Sequence, residues 1–246
     1  MTKFDWLVAA FPETTFTVFD TETTGLEPKT NRVVEAGAIR FDARGIISRF
    51  NVLINPGMPM PAEVTKINGI TDAMLAKQPA AAVVIPDFLR FIGDSVLIAH
   101  NAQFDINFMN EELARLGKPS LGNRVIDTLL FAREVFPGLP NYKLQTLATK
   151  FGITAIDAHR AEDDARVCME LFLVCVNALR EKMPAAAAVQ GSDSPMPAAA
   201  AASAGSAPVQ PAAAAQSASA AESESEQEDL FGDEMDEGLF DEENPE

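Results

Sequence analysis

The chain has 246 residues, with 36 acidic and 19 basic side chains, a net charge of −17, and aromatics that are mostly phenylalanine (16 Phe, one Trp, one Tyr). Every basic residue lies between Lys3 and Lys182, so residues 1–183 hold 22 acids against 19 bases, while residues 184–246 hold 14 acids and no base. This balance excludes a strongly basic, autonomous nucleic-acid binder, and the length suits one packed domain plus extra chain.

The first predicted strand is Thr15–Asp20, rich in Phe, Val and Thr. Val33–Phe41 and Ile46–Ile54 read as a hairpin around Asp42-Ala43-Arg44-Gly45. A short helix is expected from Pro61 to Gly69, and Thr71 can cap another. Ala80–Ile92 has helical spacing, with Pro86 as a break or kink. Val96–Ala99 is a short buried strand, Ala102–Leu116 a helix ended by Gly117, and Val125–Asp127 another short strand. Tyr142–Phe151 is a small helix with Gly152 beyond it, and a last helix runs from about Arg160 to Lys182. Three early strands followed by alternating helices and short strands predict an α/β domain with a mixed central sheet and flanking helices.

Composition changes after Met183. Residues 184–221 contain 18 alanines and five prolines, which predicts a flexible linker. Residues 222–246 form an acidic tail with two Leu-Phe pairs, Leu230-Phe231 and Leu239-Phe240. The expected division is therefore a domain at 1–183, a linker at 184–221 and a tail at 222–246. Cys168 and Cys175 fall seven apart on one predicted helix, about 10 Å along it, too far for a bridge. They read as small buried hydrophobes in a reducing compartment. The N-terminus lacks a basic segment followed by an apolar run, and no 18-residue charge-free stretch has membrane character. A cytoplasmic protein is expected.

Three acidic motifs carry the chemistry. In Phe19-Asp20-Thr21-Glu22-Thr23-Thr24-Gly25-Leu26, strand periodicity puts Phe16, Val18, Asp20 and Glu22 on one face. Two carboxylates thus finish an apolar strand face, where a divalent cation would remove their burial cost; two solvent-facing acids at a strand end fit the same pattern. In His100-Asn101-Ala102-Gln103-Phe104-Asp105, a buried strand passes into a helix whose stripe is Asp105, Met109, Leu113 and Leu116. That acid points toward the sheet or serves the helix dipole. His100 and Asn101 read as structural hydrogen-bonding residues. In His159-Arg160-Ala161-Glu162-Asp163-Asp164-Ala165, Asp164 aligns with Cys168, Leu171 and Cys175 on the inward face, whereas Asp163 leads to Val167 and Glu170. Asp164 is therefore the functional acid. His159 sits on a mobile shoulder just before the helix.

Four inward carboxylates, Asp20, Glu22, Asp105 and Asp164, suit two Mg²⁺ or Mn²⁺ ions, since hard cations take oxygen ligands. Without a Cys/His cluster, zinc is disfavoured. Two ions about 4 Å apart activate water and stabilise the leaving oxygen in phosphodiester cleavage, and a neutral His159 can accept the water proton.

Over roughly residues 13–182 these motifs, with Asn68-Gly69-Ile70-Thr71-Asp72 and Val125-Ile126-Asp127-Thr128 in the same order, resemble the DEDDh 3′→5′ exonucleases of the epsilon and PolC type of bacterial DNA polymerase III. The resemblance implies a ribonuclease H-like fold, with Asp20, Glu22, Asp105 and Asp164 as metal ligands and His159 as general base. It also implies that Leu26 and the backbone around Thr23 and Thr24 hold the terminal nucleotide, with Asn101 and Phe104 nearby. Thr23-Thr24 looks more like the DNA proofreading branch than the acid-x-acid-Met-Thr-Gly pattern of oligoribonucleases. The expected function is release of nucleoside 5′-monophosphates from single-stranded or frayed DNA 3′ ends during replication. The alternatives are repair or RNA trimming, or a non-enzymatic replication scaffold. Expected partners are the DNA polymerase III catalytic subunit and a sliding clamp. The segment Gln227-Glu228-Asp229-Leu230-Phe231 resembles the Gln-x-x-Leu-Phe clamp peptide, with Leu230 and Phe231 filling an apolar pocket and Gln227 hydrogen-bonding. No membrane role is expected.

Overall fold

A computed structural model describes residues 2–183; the linker, the acidic tail, and with them Gln227, Leu230 and Phe231, lie outside the described residues. Strands β1 (Phe16–Thr23), β2 (Val33–Asp42) and β3 (Gly45–Leu53) form an antiparallel meander. Strands β4 (Val96–Ala99) and β5 (Val125–Asp127) extend it beyond β1, each parallel to its neighbour. The sheet order is β3-β2-β1-β4-β5. β1 is thus central, paired antiparallel on one side and parallel on the other. It runs three residues past the predicted end at Asp20, because pairing with β2 continues through Glu22↔Glu35 and, after a bulge, Thr23↔Val33. Bulges of this kind redirect side chains at strand ends.

The helices are α1 (Trp6–Ala10), α2 (Ala62–Asn68), α3 (Asp72–Leu75), α4 (Ala81–Ile92), α5 (Gln103–Arg115), α6 (Thr128–Val135), α7 (Leu144–Phe151) and α8 (Ala161–Lys182). α1 and α6 have no counterpart in the sequence reading. α6 starts at the very end of β5, where Asp127 accepts the Leu129 N–H at 2.9 Å as its cap. α4 runs unbroken through Pro86; its stripe Val84, Ile85, Phe88 and Ile92 is buried on the sheet, and this packing outweighs one missing hydrogen bond.

The sheet is covered on both faces. Phe16 and Val18 of β1, with Ile39 and Phe41 of β2, face α8, α6 and α1; Phe16 and Phe172 have ring centroids 5.3 Å apart. Phe19 points the other way, onto α4, 5.6 Å from Phe88. Asp20 and Glu22 continue the Phe16–Val18 face, so they emerge under the N-terminal end of α8. Cys168 and Cys175 are both free and buried in the same layer. Among the described residues no helix is long and apolar enough to cross a membrane.

Candidate active site

The acids converge where β1 ends. Asp20, Glu22 and Asp164 each bring a carboxylate oxygen within 4.8 Å of the others. Asp105 stands beside this group rather than in it: its Oδ1 accepts the Thr21 backbone N–H at 2.9 Å and the Thr21 hydroxyl at 2.7 Å. Thr21 thereby draws the first turn of α5 onto the strand between the two β1 acids. Glu22 Oε2 accepts the Asn68 carboxamide at 3.2 Å, while Asn68 Oδ1 takes the Ile70 N–H. Asp164 Oδ1 accepts Gln145 Nε2 at 3.0 Å from α7, and its Oδ2 accepts the His159 N–H at 3.1 Å.

Four acids so close together, Asp105 and Asp164 buried and Asp20 and Glu22 half-buried, resist ionisation. Burial pushes Asp20 well above the ordinary carboxylate range, and the charges of Asp105, Asp164, Glu22 and Glu35 push the same way. Burial and Asp164 raise Glu22 to about 8, against the opposing bond from Asn68. Burial raises Asp105 to about 7 against the bonds from Thr21, and Asp164 to about 6 against the influence of His159. A pocket of concentrated, unneutralised oxygen donors is what a hard divalent cation requires. The donor set contains no thiolate or imidazole, so it fits such an ion and not structural zinc.

Close approach of α8 depends on Gly37. This residue pairs with Asp20 across the β1–β2 ladder, and a methyl group on it would overlap the Ala161 carbonyl and the Glu162 nitrogen. Its signal in the sequence is a glycine inside an otherwise apolar strand, which marks a place where another backbone approaches. Just before α8, His159 has a left-handed backbone, φ 62°. The shoulder expected to be mobile is fastened from two sides. Arg160 forks onto Glu35, and Asp163 Oδ2 accepts the N–H groups of Ile156 and Asp157 at 2.7 and 2.9 Å. Asp163 therefore serves the turn, while Asp164 joins the acids.

Residues 17–172 match the exonuclease family described as RNase_T. The DNA polymerase III subunit epsilon of Treponema pallidum is 51% identical over 175 residues, which cover 70% of this chain and 81% of that protein. The chain belongs to the exonuclease family. It is a metal-dependent 3′→5′ exonuclease of α/β, ribonuclease H-like fold, related to the epsilon and PolC types. A PolC-type DNA polymerase III of Clostridium perfringens is 37% identical over 168 residues, 68% of this chain but only 12% of that much longer protein. Among solved structures, exonuclease X in complex with 5′ overhanging duplex DNA superposes with a TM-score of 0.55 at 25% identity, covering 68% of this chain and 92% of that one. Exonuclease I superposes at 0.60 and 19% identity, over 68% and 43% of the two chains, a likeness of fold.

In this exonuclease the turn after β1 forms one rim of the site and the His159 turn another; of the residues expected near substrate, Thr23, Thr24 and Leu26 lie on the first, and Asn101 and Phe104 at the β4–α5 corner. The Thr23 hydroxyl donates to the Gly25 carbonyl at 2.6 Å. The Thr24 hydroxyl donates to Asn31 Oδ1 at 3.2 Å and accepts the Arg32 N–H at 3.0 Å. Both hydroxyls thus shape the turn after β1, on which Leu26 is half-buried. Asn101 adopts φ 57°, with its N–H on Asp127 Oδ1 at 3.1 Å. Phe104 is half-buried against Phe108, centroids 4.8 Å apart. His100 is structural: its Nδ1 is 2.8 Å from the Thr128 hydroxyl, and its Nε2 donates to the Tyr142 carbonyl at 2.8 Å. Burial lowers its pKa. The motif around Asp127 and Thr128 thereby acquires a physical role in holding the β4–α5 corner. Glu35, Thr21 and Gln145, which orient the acids or the histidine turn, were not singled out by the sequence, because their partners lie on distant segments.

Proposed function

We propose that this exonuclease proofreads for a DNA polymerase III, removing unpaired 3′-terminal nucleotides as 5′-monophosphates. The observation that carries this is the union of the converging acids Asp20, Glu22 and Asp164 with 51% identity to a polymerase III subunit epsilon. Asp20, Glu22 and Asp164, with Asp105 beside them, would hold two Mg²⁺ or Mn²⁺ ions. When bound, these supply a polarised phosphate and a stabilised leaving oxygen. His159, whose backbone N–H is tied to Asp164, takes the proton from the attacking water with its imidazole. The turn through Thr23, Thr24 and Leu26, with Asn101 and Phe104, seats the terminal nucleotide. A frayed end reaches the acids more easily than a paired one, so mismatches are favoured without reading base identity.

The first 183 residues carry a small net negative charge and bind DNA weakly alone. The polymerase catalytic subunit therefore brings the 3′ end to them in the cytoplasm. Gln227, Leu230 and Phe231 engage the sliding clamp, with the 184–221 linker raising the local concentration. The test uses the full chain, Mg²⁺ or Mn²⁺, and 5′-labelled DNA and RNA with paired or mismatched 3′ ends. An EDTA-sensitive ladder, faster on mismatched DNA, is the expected result. Preference for short RNA would replace proofreading with RNA trimming, and loss of clamp affinity on deleting residues 227–231 checks the tail.

A further inference from the structure

Beside the four site acids lies a fifth carboxylate. Glu35 is 1% exposed on β2 and is the cross-strand partner of Glu22. Both of its oxygens are taken. Oε1 accepts Arg160 Nη2 at 2.8 Å, and Oε2 accepts Arg160 Nε at 3.0 Å and the Ala161 N–H at 3.3 Å. One buried carboxylate thus holds, in fixed planar geometry, the guanidinium and the first peptide N–H of α8. These are the two residues that follow His159. Two positions along β2, Gly37 lets the same stretch of backbone rest on the strand.

Neutralising Glu35 needs only a nearby cation. A bidentate fork plus a main-chain bond, all delivered at the histidine turn, does more: it fixes where that turn sits. We infer that Glu35 and Arg160 are positioning residues that set His159 over the acids, so that their worth appears in turnover and not in substrate affinity. This rests on His159 being the general base. Misplacement of a reacting group by about 1 Å costs on the order of a hundredfold in rate.

The chain has only two histidines, so ¹³Cε1-histidine NMR of the full-length, metal-free protein reads the turn directly, with half-buried, hydrogen-bonded His100 as internal control. Glu35→Gln and Arg160→Lys are compared with wild type and His159→Ala. Both variants should lower kcat on a single-stranded oligonucleotide by about tenfold or more, with KM nearly unchanged, and should shift the His159 resonance while leaving His100 in place. Should Glu35→Gln disturb His100 as well, Arg160→Lys decides, because Arg160 is partly exposed (28% of its side chain) and keeps its charge. Unchanged kcat and an unchanged His159 resonance in Arg160→Lys would overturn the inference. A shifted His100 in that variant would also overturn it, making the pair a general support of the fold. If His159→Ala keeps the wild-type rate, the general-base assignment fails, and the His159 resonance alone then decides whether the fork places the turn.

Discussion

The two rims of the site are built differently. The turn after β1 closes on itself through main-chain bonds: Thr24 N–H to the Arg32 carbonyl at 2.9 Å, and Asn31 N–H to the Glu27 carbonyl at 2.8 Å. Behind it, Glu112 of α5, 1% exposed, accepts Arg32 Nε at 2.9 Å and Arg115 Nη1 at 3.0 Å, and Arg115 holds the carbonyls of Pro28 and Lys29. Across the site, the His159 turn is gripped by carboxylates: Asp164 on the His159 N–H, Glu35 on Arg160 and Ala161, and Asp163 on Ile156 and Asp157. A rim held by its own backbone and by Glu112, a carboxylate outside the four site acids, keeps its shape whatever their charge. A rim held by carboxylates, one of them among the metal-binding acids, shares their electrostatics. The turn after β1 is therefore insulated from cation binding at the acids, and the His159 turn is coupled to it.

The largest effect should come from the acids that both rims surround. Asp20→Asn should lower cleavage by on the order of a thousandfold or more, by removing metal ligation. Burial and four neighbouring acids already disfavour the Asp20 charge, so the variant's metal-free melting temperature should rise. Its stabilisation by Mn²⁺, read by calorimetry, should largely vanish. An unaltered response to Mn²⁺ would remove Asp20 from the ligand set.

Glu112→Ala attacks the insulated rim alone. It removes the carboxylate from Arg32 and Arg115, which are partly exposed, and the loss of these charge-assisted bonds should cost about 1–3 kcal/mol. Chemical denaturation should register that loss, and KM for a single-stranded oligonucleotide should rise more than kcat falls. The opposite pattern would mean that this turn governs the chemistry and that the two rims are not separate.

The coupling should also appear in pH. In the unfolded chain the acids titrate near 4, whereas in the folded, metal-free protein Asp164, Asp105 and Glu22 sit at about 6, 7 and 8. Between these limits the folded state binds more protons, so this stabilising contribution is complete below about pH 4 and is lost as pH rises through 6 to 8. Melting temperatures in EDTA should fall across that window. The gain on adding Mg²⁺ should grow over the same range, because cation and protons compete for the same oxygens. A metal-free melting temperature that rises from pH 6 to 8 would contradict the raised titration of these acids.

How much of this was visible in the sequence follows from the range of each interaction. Period-two spacing placed Asp20 and Glu22 on the Phe16–Val18 face, and helical spacing separated Asp164 from Asp163; both are local patterns. β4 and β5 were found to the residue, Val96–Ala99 and Val125–Asp127, because short apolar runs there are flanked by turn residues. α6 was missed because its start depends on Asp127, a β5 residue that also holds the Asn101 and Ala102 N–H groups of another segment. The fastening of the His159 turn was likewise hidden. Glu35 reaches Arg160 across 125 residues, and no periodicity records a partner so distant. The Thr23 and Thr24 hydroxyls looked available in the motif; only the folded turn shows that Gly25, Asn31 and Arg32 engage them.

The smallest effect belongs to the outer fastening of the histidine turn. Arg166 donates to Asp163 Oδ1 at 2.7 Å, to Glu170 and to the Thr154 carbonyl at 2.6 Å, and its side chain is 16% exposed. Water and salt reach this network through Glu170, whose side chain is 40% exposed, while Asp163 keeps its backbone partners, so Arg166→Ala should cost about 1–2 kcal/mol. Yet Asp163, freed of Arg166, can still accept the Ile156 and Asp157 N–H groups, so the turn should loosen without letting go. Expected is a severalfold fall in kcat with unchanged KM, and a wild-type rate that itself declines modestly as NaCl rises from about 0.05 to 0.5 M at saturating substrate, where DNA binding no longer limits. In Arg166→Ala that salt dependence of kcat should flatten, since the screened contact is gone. If the variant instead raises KM, the outer clamp acts on substrate, and the division of labour between the rims fails at its weakest point.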